Sequence, residues 1–137
     1  MASKVRKIDY FAMNIPNRRG EAARILDSLR EEGVNLLAFT GFPDKHGAQI
    51  DFVPENTAAF KAAARRAKLK VRAKKSGFLV QGDDRPGAVS RVLDKLAEAR
   101  INVTAVDAVC AGKNRFGALL WVKQKDVTKA KRALGAR

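Results

Sequence analysis

The stretch Val80-Gln81-Gly82-Asp83-Asp84-Arg85-Pro86-Gly87-Ala88-Val89 gathers the residue types best suited to hold a small charged ligand. Pro86 suits the first turn of a helix, where its missing N–H costs nothing and its φ is already set. Gly87 lets a ligand approach the helix start with no Cβ in the way. A helix start offers unpaired N–H groups and partial positive charge, which together seat a carboxylate. Asp83 and Asp84 beside it can cap the helix or receive an ammonium group. A free amino acid carries both charges. Other chemistry is harder to assemble. His46 falls in a turn cluster and Cys110 at a strand end, so no Ser–His or Cys–His pair is readable. One cysteine forms no internal disulfide, and one histidine gives no zinc set. Neither catalytic residues nor a cofactor is expected.

The same turn occurs twice. Shifted by 67 residues the chain falls on itself without a gap: Asn17-Arg18-Arg19-Gly20 lies over Asp84-Arg85-Pro86-Gly87, and Ile25-Leu26-Asp27 over Val92-Leu93-Asp94. Val34-Asn35-Leu36 lies over Ile101-Asn102-Val103 in the same frame. Beyond the hairpin the offset becomes 70, with Gly47-Ala48 over Gly117-Ala118. Chance matches apolar stripes, but hardly a turn glycine, an aspartate and an asparagine as well. The chain is an internal duplication, divided at 1–73 and 74–137. Units of about 65 to 70 residues lie near the lower limit for an independent core.

Each half predicts the same order of elements. Lys7 to Asn14 and Gly77 to Gln81 have strand composition. Helices follow, with Ala22, Ile25, Leu26 and Leu29 on one stripe and Val89, Val92, Leu93 and Leu96 on the other. Gly33 stops the first helix, whereas Arg100 stands at that place in the second and is a poorer stop. Val34 to Phe42 and Asn102 to Cys110 are second strands; Ala48 to Val53 and Phe116 to Lys123 are third strands. Glu55 to Lys68 and Lys125 to Leu134 are second helices, with Asn56 and Asp126 as candidate caps. Leu69 to Arg72 makes a short fourth strand, while almost nothing after Leu134 remains for one. The fold class is α+β: two ferredoxin-like βαββαβ units in tandem, antiparallel sheets with helices on one face.

With Asp84-Arg85-Pro86-Gly87, Val92, Leu96 and Ile101-Asn102-Val103 in place, the sequence resembles the ACT domain family of regulatory amino-acid-binding modules. The first copy supplies Asn17-Arg18-Arg19-Gly20, Ile25, Leu29 and Val34-Asn35-Leu36. The resemblance covers almost the whole chain and implies a stand-alone tandem ACT protein that regulates an enzyme without being one. It implies ligand binding at an interface between units, by the Pro-Gly turn of one and the second-strand start of the other. Carried over, the site comprises Asp84, Arg85, Gly87, Ala88 and Val89 with Asn102, Val103 and Thr104. A pseudo-symmetric site comprises Asn17, Arg18, Gly20 and Asn35. There Arg19 replaces the proline and Glu21 follows the glycine; its carboxylate competes with that of a ligand, which disfavours the first copy. The same turn and asparagine also serve simply to shape a small fold, and the residues alone fit that role equally.

Charge supplies the rival reading. Twenty-eight Lys and Arg against 14 Asp and Glu give +14, a field that attracts nucleic acid or an acidic partner protein. Eight basic residues and no acid lie between Lys61 and Lys75. RNA-binding ferredoxin-like sheets use aromatic platforms, whereas Phe11 and Phe78 look like core positions, so weak, non-specific nucleic acid binding is the expectation. Val80-Gln81-Gly82 is similar to the phosphate loop of acylphosphatases, but Pro86 stands where that family has arginine, and Asp83 and Asp84 repel phosphate. The start, Met1-Ala2-Ser3-Lys4, shows no apolar core or cleavage site, and no run approaches membrane-spanning length. A cytoplasmic protein is expected, associating as a homodimer because an edge or face of each small sheet stays open.

Overall fold

The computed structural model describes residues 3–137; the reading of Met1-Ala2 lies outside them. The chain forms two compact units. One is Asp9–Lys75; the other joins the described residues up to Ile8 with Ser76–Arg137. The division at 1–73 and 74–137 therefore differs at the first strand, β1 (Lys4–Ile15), whose two halves serve different units.

In the Asp9–Lys75 unit, β1 is followed by α1 (Glu21–Glu31), β2 (Leu36–Asp44), β3 (Gly47–Pro54) and α2 (Thr57–Arg66). The strand order is β2-β3-β1. Phe11 stands opposite Phe52 and Met13 opposite Ile50, in antiparallel register. Ile25 and Leu29 of α1 and Phe60 of α2 complete a core in which Phe52 and Phe60 are fully buried. The Phe60 ring lies 4.9 Å from Phe11 and 5.2 Å from Phe52, centroid to centroid. Both helices thus close one face of the sheet, as their apolar stripes require. The Asn56 side chain caps α2, accepting from the Ala59 N–H at 2.9 Å.

The second unit repeats the order: β4 (Lys75–Asp83), α3 (Ala88–Glu98), β5 (Ala105–Gly112), β6 (Arg115–Trp121) and α4 (Val127–Leu134). A single 3-10 turn, Gln124–Asp126, leads into α4. Asp126 occupies the cap position there, yet its side chain makes no capping bond. Phe78, Val80, Leu96 and Leu120 form the helix-covered core. Leu79, Leu119 and Trp121, on the opposite face, are buried as well.

The fourth-strand positions depart from expectation in both units. Leu69 to Arg72 is not a strand; it makes one backbone bond to β1, from Arg72 N–H to the Ala12 carbonyl at 2.8 Å. Leu69 and Val71 still pack on the core, so apolar burial is retained without a ladder. In the second unit β1 lies beside β4. Val5 is 8% exposed within that core, and a Cβ on Gly82 would meet the Ser3 hydroxyl oxygen at 2.6 Å. The first half of β1 thus fills the missing place, with Arg137 hydrogen-bonded to Val5 and Lys7.

Both first helices of the duplicated pattern end alike. Gly33 has φ 75 and Arg100 has φ 60. Gly33 bonds Arg30 and Val34 bonds Leu29, while Arg100 bonds Ala97 and Ile101 bonds Leu96. This is the Schellman closure, which wants a left-handed residue. An arginine there stores strain that glycine does not. Arg100→Gly is expected to stabilise the protein by about 0.5–1.5 kcal/mol, read as a higher urea midpoint at unchanged slope.

Candidate functional site

The two strand-to-helix turns are built alike. The Ala88 N–H bonds the Arg85 carbonyl at 3.0 Å, and Gly87 has φ 82 and ψ 7. These are type II β-turn angles, with Pro86 and Gly87 at the central positions. Pro86 consequently precedes the helix rather than opening it, and left-handed Gly87 is the N-cap. The first copy matches: Glu21 N–H bonds Arg18 at 3.2 Å, and Gly20 has φ 85. Arg19 stands where a type II turn favours proline but tolerates other residues.

At α3 this turn consumes the Ala88 N–H, and Arg91 N–H bonds the Gly87 carbonyl. Val89 and Ser90 remain as N–H groups with no intrahelical acceptor, and no side chain caps this end. The helix start opens on a cleft of about 350 Å³ lined by Asp84, Arg85, Gly87, Ala88, Val89 and Ser90 on the turn side. Its other wall is Ala108, Val109 and Cys110 of β5 with Phe116 of β6. Five residues expected from the turn therefore meet in one place. Asn102, Val103 and Thr104 do not join them. Thr104 bonds Trp121 at the far end of β5, whereas Asp84 bonds Asn114 in the hairpin beside the cleft.

The two acids have separate tasks. Asp83 accepts from Arg115 at 2.9 Å, and that hydrogen bond holds its carboxyl below the usual carboxylate range. Asp84 lines the cleft and accepts from the Cys110 thiol at 3.0 Å. Neither caps α3. Val80-Gln81-Gly82 forms part of β4, paired with Ala118, Gly117 and Phe116, rather than a phosphate loop.

Ser90, Ala108, Val109, Cys110 and Phe116 are the lining residues that sequence reasoning missed. The signal was there: pairing β4 with β6, and β6 with β5, carries the hairpin tip back to the end of the first strand. The hydrogen bond to Asp84 and its negative charge push the Cys110 thiol upward. The thiol's bonded form is thus fully favoured below the unfolded-state pKa and lost as pH rises through the higher folded value. Asp84→Ala is expected to speed alkylation of Cys110 several-fold near pH 8, because the thiolate is the nucleophile. Iodoacetamide kinetics against pH, with urea-unfolded protein as reference, measure it.

The first copy differs at its helix start. Glu21 holds Arg24 at 3.0 Å across the first turn of α1, so a carboxylate already stands beside those N–H groups. Asn17 and Arg18 lie in the turn, with Arg18 N–H on Pro16. Asn35 is tied to Glu55 through both side chain and backbone. Among the described residues no cluster of three His, Cys, Asp or Glu able to hold a metal occurs, and no helix is long and apolar enough to cross a membrane.

No protein-family model and no curated protein matches the chain. Solved structures do. Protein BT0572 from Bacteroides thetaiotaomicron superposes with TM-score 0.76 at 16% identity, over 97% of this chain and 88% of that one. The regulatory subunit of aspartate kinase from Thermus thermophilus, in its ligand-free form, gives 0.64 at 15% identity, over 98% and 95%. The corresponding subunit from Thermus flavus gives 0.58 at 16%, over 98% and 95%. The fold is thus shared with regulatory subunits, in agreement with an ACT-like arrangement.

Proposed function

We propose that this chain is a non-catalytic regulatory module of ACT type that binds a free amino acid at the α3 cleft. The observation that carries the reading is the turn itself. It leaves the Val89 and Ser90 N–H groups without an intrahelical acceptor, and both residues line a cleft that Asp84 lines as well. The ligand carboxylate takes the helix start, and its ammonium takes Asp84 in place of the thiol. Ala88, Val89, Ala108, Val109 and Phe116 make the remaining wall apolar, so amino acids with apolar side chains should rank first. Similarity of fold to regulatory subunits of aspartate kinase supports the regulatory role, and an enzyme regulated in this way is the partner to seek.

Asn102 to Thr104 sit at the far end of β5 from the cleft, so they reach the same ligand only from another copy of the unit. A second chain supplies one. All eight residues of β5 are exposed, with Val109 at 70%, and β5 is the outermost strand of its sheet. Such an edge invites pairing. Light scattering at tens of micromolar is expected to give a dimer mass, and Val109→Lys to shift it toward monomer. A wild-type monomer mass would count against the second chain.

The binding test uses Cys110 as its own reporter. Each amino acid in turn is added at millimolar concentration, and the alkylation rate is followed. A bound ligand changes that rate, lowering it by covering the thiol or raising it by taking Asp84 from the thiol, with a parallel rise in melting temperature. Unchanged rate and melting curve across all amino acids would refute the reading.

A further inference from the structure

We infer that the Asp9–Lys75 unit carries a second site, a cationic cleft for a phosphate-bearing ligand with an apolar or aromatic body. The basic run is not simply a solvated helix face. Left-handed Lys68, at φ 58, and the Leu69 N–H on the Ala64 carbonyl end α2 and turn the chain back along it. Leu69 and Val71 pack, partly buried, against the core, which leaves basic residues on both banks of a cleft. Lys61 and Arg65, one helical turn apart, form one bank; Arg72 and Lys74 form the other. Its volume is about 480 Å³, inside the range of small-molecule sites.

Three features separate this cleft from diffuse surface charge. None of its lining residues carries a carboxylate. Among the described residues Lys61, Arg65 and Lys74 make no ion pair, whereas neighbouring Arg66 is paired with Glu32. Arg72 is held in place by its side-chain bond to Asn14 and its backbone bond to Ala12, so part of the site is preorganised. Between the banks the wall includes Phe11, Leu69 and Val71, which suits a base or other apolar body more than bare phosphate. Guanidinium groups bind phosphate oxygens through paired N–H donors. A free nucleotide and a nucleic acid strand both present this chemistry.

The full-length chain is titrated at low salt with ATP, inorganic tripolyphosphate and a short thymidine oligonucleotide. The expected result is that ATP binds at least about fivefold more tightly than tripolyphosphate, with affinity falling steeply as salt rises. Lys61→Gln, Arg65→Gln and Lys74→Gln combined should weaken ATP about tenfold or more. The matched set Lys129→Gln, Lys131→Gln and Arg132→Gln on the outer face of α4 should change it less than about twofold. All six positions are exposed, so both variants should keep the wild-type melting curve. Whichever of ATP and the oligonucleotide binds more tightly, and loses more in the first variant, identifies the source of the phosphate. Equal losses in both variants would overturn the site in favour of a diffuse field, and equal binding of ATP and tripolyphosphate would overturn the apolar body.

Discussion

Gly87→Leu is expected to abolish stabilisation by the proposed amino-acid ligand, while Gly20→Leu leaves it intact. A few charge-assisted hydrogen bonds, less the cost of capture, suggest micromolar to millimolar affinity. At a hundredfold ligand excess over Kd, binding adds about 2.7 kcal/mol to stability. That whole increment should vanish in the Gly87 variant, whose side chain enters the approach to the α3 start. The two substitutions share one structural cost. Both glycines are left-handed, at φ 82 and φ 85, so each variant should lose about 1–2 kcal/mol from backbone strain alone. Their surroundings add little: a Cβ at Gly87 would touch only the Arg91 guanidinium at 3.4 Å, and one at Gly20 meets nothing within 4 Å. The pair is thus a matched control, and the difference between them reports the ligand. Thermal melts of wild type and both variants, with and without the best amino acid, decide it. A Gly87 variant that folds and still gains the full shift would place the site elsewhere.

A polypeptide of residues 74–137 alone should show no cooperative unfolding transition. Sequence similarity marks it as one repeat that lacks only its fourth strand, yet its core in the intact chain includes Val5. Removing β1 takes away two buried apolar side chains, Val5 and Ile8, each worth about 1.5–3 kcal/mol, and the backbone pairing along one edge of β4. It also removes both hydrogen-bond partners of Arg137. A unit of this size is stable by only about 0.05–0.15 kcal/mol per residue, so the combined loss takes most of it. Rescue gives the decisive measurement. A permuted chain running from residue 76 to 137, through a short flexible linker, into residues 3–9 should regain a sharp urea transition. If the fragment without β1 unfolds as cooperatively as the permuted one, β1 is dispensable to that core.

The parts of the fold legible in the sequence were those set by local chemistry. Val92 and Leu96 could face only a core, because their spacing puts them on one side of any α-helix. Gly33 announced a left-handed helix stop through its missing Cβ, and Asn56 a cap through its short amide. The repeat itself was visible because one turn and two helix stripes recur in frame. Asp84, Arg85, Gly87, Ala88 and Val89 line one cleft together because they adjoin in the chain and a single turn assembles them.

Tertiary structure decided what depends on residues far apart. Val5 is an ordinary strand residue in the sequence; only its place beside β4 makes it part of a core whose other members begin at Phe78. Leu69 to Arg72 has strand composition, but a strand exists only where a neighbour supplies a ladder, and here one bond to Ala12 is all it receives. Arg100 reads as a poor helix stop, yet the Schellman bonds from Arg100 and Ile101 hold it left-handed because burial of Ile101 outweighs the strain. The bond between Cys110 and Asp84, and the separation of Asn102 from the cleft, both follow from the register of β5 on β6. Side-chain patterning determines which face is buried, whereas pairing between strands distant in sequence determines which ends meet. That second choice turned a recognisable turn into a cleft.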